Sequence, residues 1–256
     1  MTITAPGRGP FSNPQFYLDL PDAQVVATDA LLQTQDTIRE TIEARAMSVI
    51  YGDAGLGKTF ATRAALAQVD PDLLLSLEFA RSRPGPKDLR EELFTQMRLA
   101  GRMPGTPTPF DRLLLSALPR RPYVIVCDEA QQYRRQCFEF VRNLWDNCST
   151  GRPAVVFVGG HEAFETLQSD PALASRIYIR QEVLAMSEEE VLKVVPLIHP
   201  VWAGVDAQLV RHIDTVMADG SMRQWAKITY HVLEGLRRHT GGQVDRPLLD
   251  WALARC

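Results

Sequence analysis

Short apolar runs alternate with stretches of helical period up to about residue 185, and beyond it only the helical period continues. Leu31, Ile38 and Ile42 form a sparse apolar stripe that predicts a first helix ending near Arg45. Residues 46–51 are an apolar run halted by Gly52, the pattern of a buried strand. Helix is expected over 60–68 and a second strand over 73–79. A helix from Pro86 carries Leu89, Leu93, Phe94 and Met97 on one face. The Gly/Pro-rich stretch 101–109 then leads to a short helix through Leu118, and 123–127 is a third strand. In the next helix Cys137, Phe140, Val141, Leu144 and Cys148 repeat at helical spacing. Residues 154–158 and 177–183 complete the set of strands.

After that the strands stop. Ser187-Glu188-Glu189-Glu190 has the form of a capping box opening a helix that Pro196 ends. Val205, Leu209, Ile213 and Val216 mark a second helix, and Met222, Trp225, Thr229, Val232, Leu233 and Leu236 a third. Strands alternating with helices, followed by helices alone, predict an α/β fold: a parallel five-stranded core with a small all-helical C-terminal lid. The expected divisions are a proline-spaced extended arm over 1–22, an α/β domain over 23–185 and a helical lid over 186–256.

Composition excludes more than it identifies. With 45% hydrophobic and 23% charged residues, the chain is an ordinary globular one. Its net charge of −3 rules out bulk polycation behaviour, so nucleic-acid binding would need a local patch or assembly. Cys127, Cys137, Cys148 and Cys256 have no Cys-x-x-Cys spacing, which argues against zinc and for a reduced compartment. The start lacks a signal-peptide pattern and no apolar run approaches a bilayer span, so a cytoplasmic protein with no membrane partner is expected.

The chemistry begins at Gly52-Asp53-Ala54-Gly55-Leu56-Gly57-Lys58-Thr59, a complete G-x-x-x-x-G-K-T phosphate loop between a predicted strand and a predicted helix. Its glycines let backbone N–H groups surround phosphates at the positive end of the helix. Lys58 would neutralise the β- and γ-phosphates of ATP, and the Thr59 hydroxyl would ligate Mg²⁺. The third strand runs into Asp128-Glu129-Ala130-Gln131, placing two carboxylates at the edge of the sheet where ligands bind. Asp128 would hold the Mg²⁺ shell and Glu129 would polarise a water for attack on the γ-phosphate, making the protein an ATPase.

Three further positions leave alternatives open. His161, after Gly159-Gly160, either delivers a polar group towards the γ-phosphate or caps the next helix. Arg176, before the fifth strand, could act in trans on a neighbour's nucleotide, with Arg180 as the other candidate. Arg223, in Gly220-Ser221-Met222-Arg223, either reaches back to the phosphates or is an ordinary first-turn arginine.

Together these residues resemble the AAA+ ATPases, and within them the transposition target-selection group of Mu B, TniB and TnsC, with ExeA-type relatives. The resemblance runs from about residue 25 to about 240. It rests on the loop 52–59, the acidic pair 128–129, the Gly160-His161 turn, the Ser175-Arg176 seam and Gly220–Arg223. His161 departs from the Asn or Gln usual there, and no winged-helix or helix-turn-helix pattern stands out. The resemblance implies a homo-oligomer, a ring or helical filament, that binds double-stranded DNA without sequence preference and engages a transposase or other recombination protein. On this basis Arg81, Arg83 and Lys87, in a stretch that also contains Arg90, are candidate DNA contacts; a solvated loop is the plainer alternative. Two other functions stay open: an ATPase that loads or regulates a protein partner, and a nucleotide-dependent signalling switch with little turnover.

Overall fold

The computed structural model describes residue 18 and residues 20–79, 83–148, 150–238 and 243–256. Most of the expected arm, and Arg81 of the candidate DNA contacts, lie outside the described residues.

The described residues build one parallel sheet with helices on both faces, followed by helices alone. Helix α1 (Asp29–Ala44) precedes β1 (Met47–Gly52), and α2 (Lys58–Leu66) leads to β2 (Leu74–Ser76). Helices α3 (Pro86–Gln96) and α4 (Pro107–Ala117) separate β2 from β3 (Val124–Cys127). Then come α5 (Arg135–Asn147), β4 (Ala154–Gly159), α6 (His161–Gln168), α7 (Pro171–Ala174) and β5 (Ile177–Val183). The strand order is β2-β3-β4-β1-β5 and every pairing is parallel. β1 therefore lies between strands reached from opposite directions, and the crevice at its carboxyl end is where such sheets place ligands.

Both faces of β1, β3 and β4 are buried, so these strands are almost continuously apolar, whereas the edge strand β5 alternates buried and exposed residues. One face packs Val49, Ile125, Val155 and Phe157 against α3–α6, including the Cys137, Val141 and Leu144 side of α5. The other packs Ile50, Val126, Val156 and Val158 against Ile38 of α1 and Leu66 of α2. Cys127, Cys137 and Cys148 are buried free thiols. Among the described residues no helix is long and apolar enough to cross a membrane.

A separate core holds the C-terminal helices α8 (Glu188–Ile198), α9 (Ala207–Ile213), α10 (Met222–Arg238) and α11 (Arg246–Leu253). Trp202 and Trp225 meet edge to face at 5.4 Å in its centre. Their indole N–H groups are satisfied by Thr229 Oγ1 at 2.9 Å and Asp214 Oδ1 at 3.0 Å.

Several expectations need correction. The second strand is three residues long, because Tyr133 Oη donates to Leu77 O at 2.6 Å and takes the carbonyl that would extend the ladder. Pro196 does not end α8, which runs on to Ile198. One missing N–H near a helix end is tolerable, and burial of Val194, Val195 and Ile198 holds the last turn in place. The capping box is one-sided: Ser187 Oγ accepts from Glu190 N, but the Glu190 carboxylate accepts instead from Asp29 N at 2.8 Å. Val216 is 57% exposed, because a π turn over Asp214–Ala218 widens the helix and carries it off the apolar face. Periodicity did not single out α11.

Candidate functional site

The loop between β1 and α2 follows from its glycines. Gly55 and Gly57 both have φ 92, a left-handed conformation that residues with a Cβ resist. The loop therefore coils tightly and delivers the first turn of α2 to the carboxyl edge of the sheet. Lys58 is the first residue of that helix. Its Nζ bends back to donate to Gly52 O at 2.9 Å and Asp53 O at 2.7 Å. Burial lowers its pKa, while Glu129, Asp53 and Asp128 pull it up again and Arg223 lowers it further. A half-buried ammonium satisfied only by neutral carbonyls is readily exchanged onto an anion.

β3, paired next to β4, brings the acidic residues to the same edge. Asp128 is buried, accepting from Glu129 N at 2.8 Å and from Thr59 Oγ1 at 3.3 Å. Burial raises its pKa first of all, the neighbouring Glu129 and Glu78 add to the rise, and the two donors oppose it. A hydroxyl and a carboxylate held together in this way suit Mg²⁺, which takes few protein oxygens and keeps much of its water. Glu129 has a left-handed backbone with φ 52 and an exposed side chain. Thr59, Arg63, Glu78, Pro84, Asp128 and Glu129 line a cavity of about 200 Å³.

His161 is the first residue of α6, where Gly160 occupies the N-cap with no side-chain bond, so His161 does not cap that helix. Its Nε2 lies 3.6 Å from Asp53 Oδ1 and 4.0 Å from Glu182 Oε1, and its ring meets Tyr51 edge-on. Arg223 belongs to the site: its backbone N donates to Gly55 O at 3.0 Å, and its charge acts on Lys58.

Arg176 is placed elsewhere. Ile177 pairs with Met47 and Val183 with Gly52, so Arg176 lies at the opposite edge of the sheet from the phosphate loop. Six strand residues separate those edges by about 20 Å. Arg176 Nε contacts Asp146 Oδ1 at 3.2 Å, and Arg180 donates to Ala174 O at 2.9 Å.

Of the basic stretch, Arg83 and Lys87 are exposed, Lys87 lying 3.6 Å from Glu91. Arg90 is not available for DNA. It donates to both oxygens of Asp111 at 2.6 and 3.1 Å and lies over the Phe140 ring. Gln131, beyond the two carboxylates that the motif points to, has its carboxamide between Glu129 and Gly160. The D-E-A-Q spacing was the only available hint.

A family model described as "AAA domain" matches residues 40–167, half of the chain. No curated protein matches it. Among solved structures, Cdc6p from Pyrobaculum aerophilum superposes with a TM-score of 0.69 at 15% identity over 86% of this chain. The chain spans 65% of that protein's length. The ORC2 protein of Aeropyrum pernix, solved as ADPNP–ADP complexes, gives 0.68 at 14% identity, over 96% of this chain and 70% of that one. The ORC1 protein of Aeropyrum pernix, solved in complex with DNA, gives 0.63 at 18%, over 92% of this chain and 66% of that one. These likenesses establish a shared fold.

Proposed function

We propose, from the premise that this chain belongs to the AAA domain family of P-loop ATPases, that it is an ATP-hydrolysing homo-oligomer that grips duplex DNA and marks target sites for a transposase. The observation that carries the enzymatic part is the convergence of Lys58, Thr59, Asp128 and Glu129 at one sheet edge, with Asp128 linking Thr59 to the backbone of Glu129.

The amides of 55–59 and the positive end of α2 receive the phosphates. Lys58 leaves the Gly52 and Asp53 carbonyls for the β- and γ-phosphate oxygens. Mg²⁺ held at Thr59 and Asp128 would neutralise charge on the phosphates. Glu129 accepts a proton from the attacking water; the water oxygen bonds to the γ-phosphorus and ADP departs with the electron pair of the broken bond. Arg223 adds positive charge from the helical region. Arg176, too far from its own loop, serves a neighbour's nucleotide, which makes oligomerisation part of the mechanism. A ring or filament also repeats the Arg83 and Lys87 contacts, so avidity compensates for a net charge of −3.

A second reading, an ATPase acting on a protein partner, is favoured by the withdrawal of Arg90 into its pair with Asp111, which thins the basic patch. ATP turnover measured with and without duplex DNA separates the two, and electron microscopy with ATP and DNA tests assembly. DNA-stimulated turnover on a decorated duplex is expected. A protein that binds no DNA in any nucleotide state leaves the partner-directed ATPase, and one that hydrolyses no ATP under either condition ends both readings.

A further inference from the structure

Gln131 sits in a short 3₁₀ turn directly after the acidic pair, and its carboxamide is engaged at both ends. Gly160 N donates to Oε1 at 3.0 Å. A backbone amide can only donate, so this bond fixes the orientation of the carboxamide and turns Nε2 the other way. There it donates to Oε2 of Glu129. The left-handed backbone at Glu129 bends the chain sharply enough for a side chain two residues later to return to it.

The receiving surface is shaped for this contact. A Cβ on Gly159 would lie 2.7 Å from Gln131 Oε1 and 3.1 Å from Gln131 N, closer than real Cβ atoms approach in the first case. β4 must therefore end in glycine if the carboxamide is to lie against it. The turn that holds Gln131 continues into His161, whose ring faces Asp53 of the phosphate loop at 3.6 Å. The Gly160–His161 turn thus stands beside Asp53 on one side and is hydrogen-bonded through Gln131 to the Glu129 carboxylate on the other.

We propose that Gln131 is a positioning residue, which sets the Glu129 carboxylate from the Gly160–His161 turn and so makes the general base follow the state of the phosphate loop. The inference rests on the reading of Glu129 as the base. An exposed glutamate side chain otherwise samples many rotamers. With Oε2 anchored by the carboxamide, Oε1 is presented in one direction to accept the proton from water. Gln131 touches neither nucleotide nor water in this scheme; it acts through Glu129.

The test is single-turnover and steady-state ATP hydrolysis by the full chain with Mg²⁺, alongside ATP affinity. Gln131→Ala is expected to keep its ATP Kd within about twofold while kcat falls about 10- to 100-fold, the scale of a misplaced reacting group. Gln131→Glu, nearly isosteric but unable to donate, should be no better than alanine. Gly159→Ala should displace the carboxamide and reproduce the kcat loss, and the double variant Gly159→Ala/Gln131→Ala should be no worse than Gly159→Ala alone. If Gly159→Ala does not fold, the Gln131→Ala and Gln131→Glu pair decides. Wild-type kcat in Gln131→Ala, activity retained by Gln131→Glu, or losses that multiply in the double variant would overturn the inference. Glu129→Gln measured in parallel separates the two levels. If it stalls turnover while Gln131→Ala does not, only the positioning role falls. If it turns over normally, the reading of Glu129 fails and this inference with it.

Discussion

The backbone amide of Arg223 donates to the carbonyl of Gly55 at 3.0 Å, so the first turn of a C-terminal helix is hydrogen-bonded to the phosphate loop itself. Ser221 Oγ approaches the same carbonyl at 3.4 Å. The loop's amides are left to face a ligand while one of its carbonyls faces the helical region. The helical region is thereby tied to the loop through the main chain, independently of the Arg223 guanidinium.

This separates two substitutions. A Cβ on Gly55 would lie 3.0 Å from Ser221 Oγ and 3.1 Å from Arg223 Cβ, at a φ of 92. Gly55→Ala should therefore destabilise the protein by about 1–3 kcal/mol and weaken ATP binding, from backbone strain and crowding together. Arg223→Ala keeps the backbone donor and should lower turnover with little change in melting temperature. Thermal melts and ATP titrations of both variants check this; equal melting losses would contradict the separation of backbone strain at Gly55 from the charge of Arg223.

Lys58 and Glu129 should fail differently. Lys58→Ala removes the cation that meets the phosphates, and ATP affinity should drop tenfold or more. Glu129→Gln keeps the shape and loses only the proton acceptor, so binding should persist while kcat falls about 10²- to 10⁴-fold. Isothermal titration beside a phosphate-release assay distinguishes them, and equal loss of binding in both would contradict the assigned roles.

Asp128 predicts a pH dependence. Burial raises its carboxyl above the ordinary value, so the folded protein holds that proton more tightly than the unfolded chain does. The ionised group is then a liability, fully felt above the raised value and relieved as pH falls through it to the unfolded value of about 4. Asp128→Asn should raise the melting temperature of the nucleotide-free protein at pH 8, with a margin that closes towards pH 4. The same variant should lose the Mg²⁺ dependence of ATP binding. A margin that widens on acidification would reverse the assigned direction.

Much of this was legible in the chain, for reasons visible in particular residues. β1 and β3 are buried on both faces, so their apolar runs stand out unaided, and the glycine spacing of 52–59 is a local backbone requirement. The Cys137–Cys148 stripe was readable because α5 is regular and half-buried. Val216 was not, since a π turn breaks the helical period there. Pro196 misled because its consequence depends on packing around Ile198, a tertiary fact. Gln131 escaped because its partner Gly160 is 29 residues away, and Arg90 because Asp111 is 21 away.

Arg176 lies at the far edge of the sheet from its own loop, and its partner Asp146 leaves it 38% exposed. Arg176→Ala should bind ATP normally and lose about 10³-fold in turnover. Mixed with Glu129→Gln, it should regain activity, because some mixed interfaces combine an intact Glu129 with an intact Arg176. No rescue at any mixing ratio, with Arg180→Ala showing it instead, would transfer the role to Arg180.

The proposed contact with duplex DNA is the reading most exposed to refutation. Lys87 is 85% exposed and its ion pair with Glu91 is long at 3.6 Å. Such a surface pair contributes about 0.3–0.5 kcal/mol, so Lys87 exchanges it for a phosphate at little cost. Arg83 is exposed on the same segment, and Pro84 beside it lines the cavity that holds Asp128 and Glu129. Replacing Arg81, Arg83 and Lys87 by Ala should weaken binding equally for all duplex sequences, because phosphates carry no base code. Each lost contact should flatten the salt dependence by about 0.9 in the slope of log K against log salt. ATP affinity without DNA should remain, since none of the three belongs to the phosphate loop, whereas DNA stimulation of turnover should disappear. Fluorescence anisotropy across a salt series measures both quantities. An unchanged slope in the triple variant would remove this segment from the DNA-binding surface.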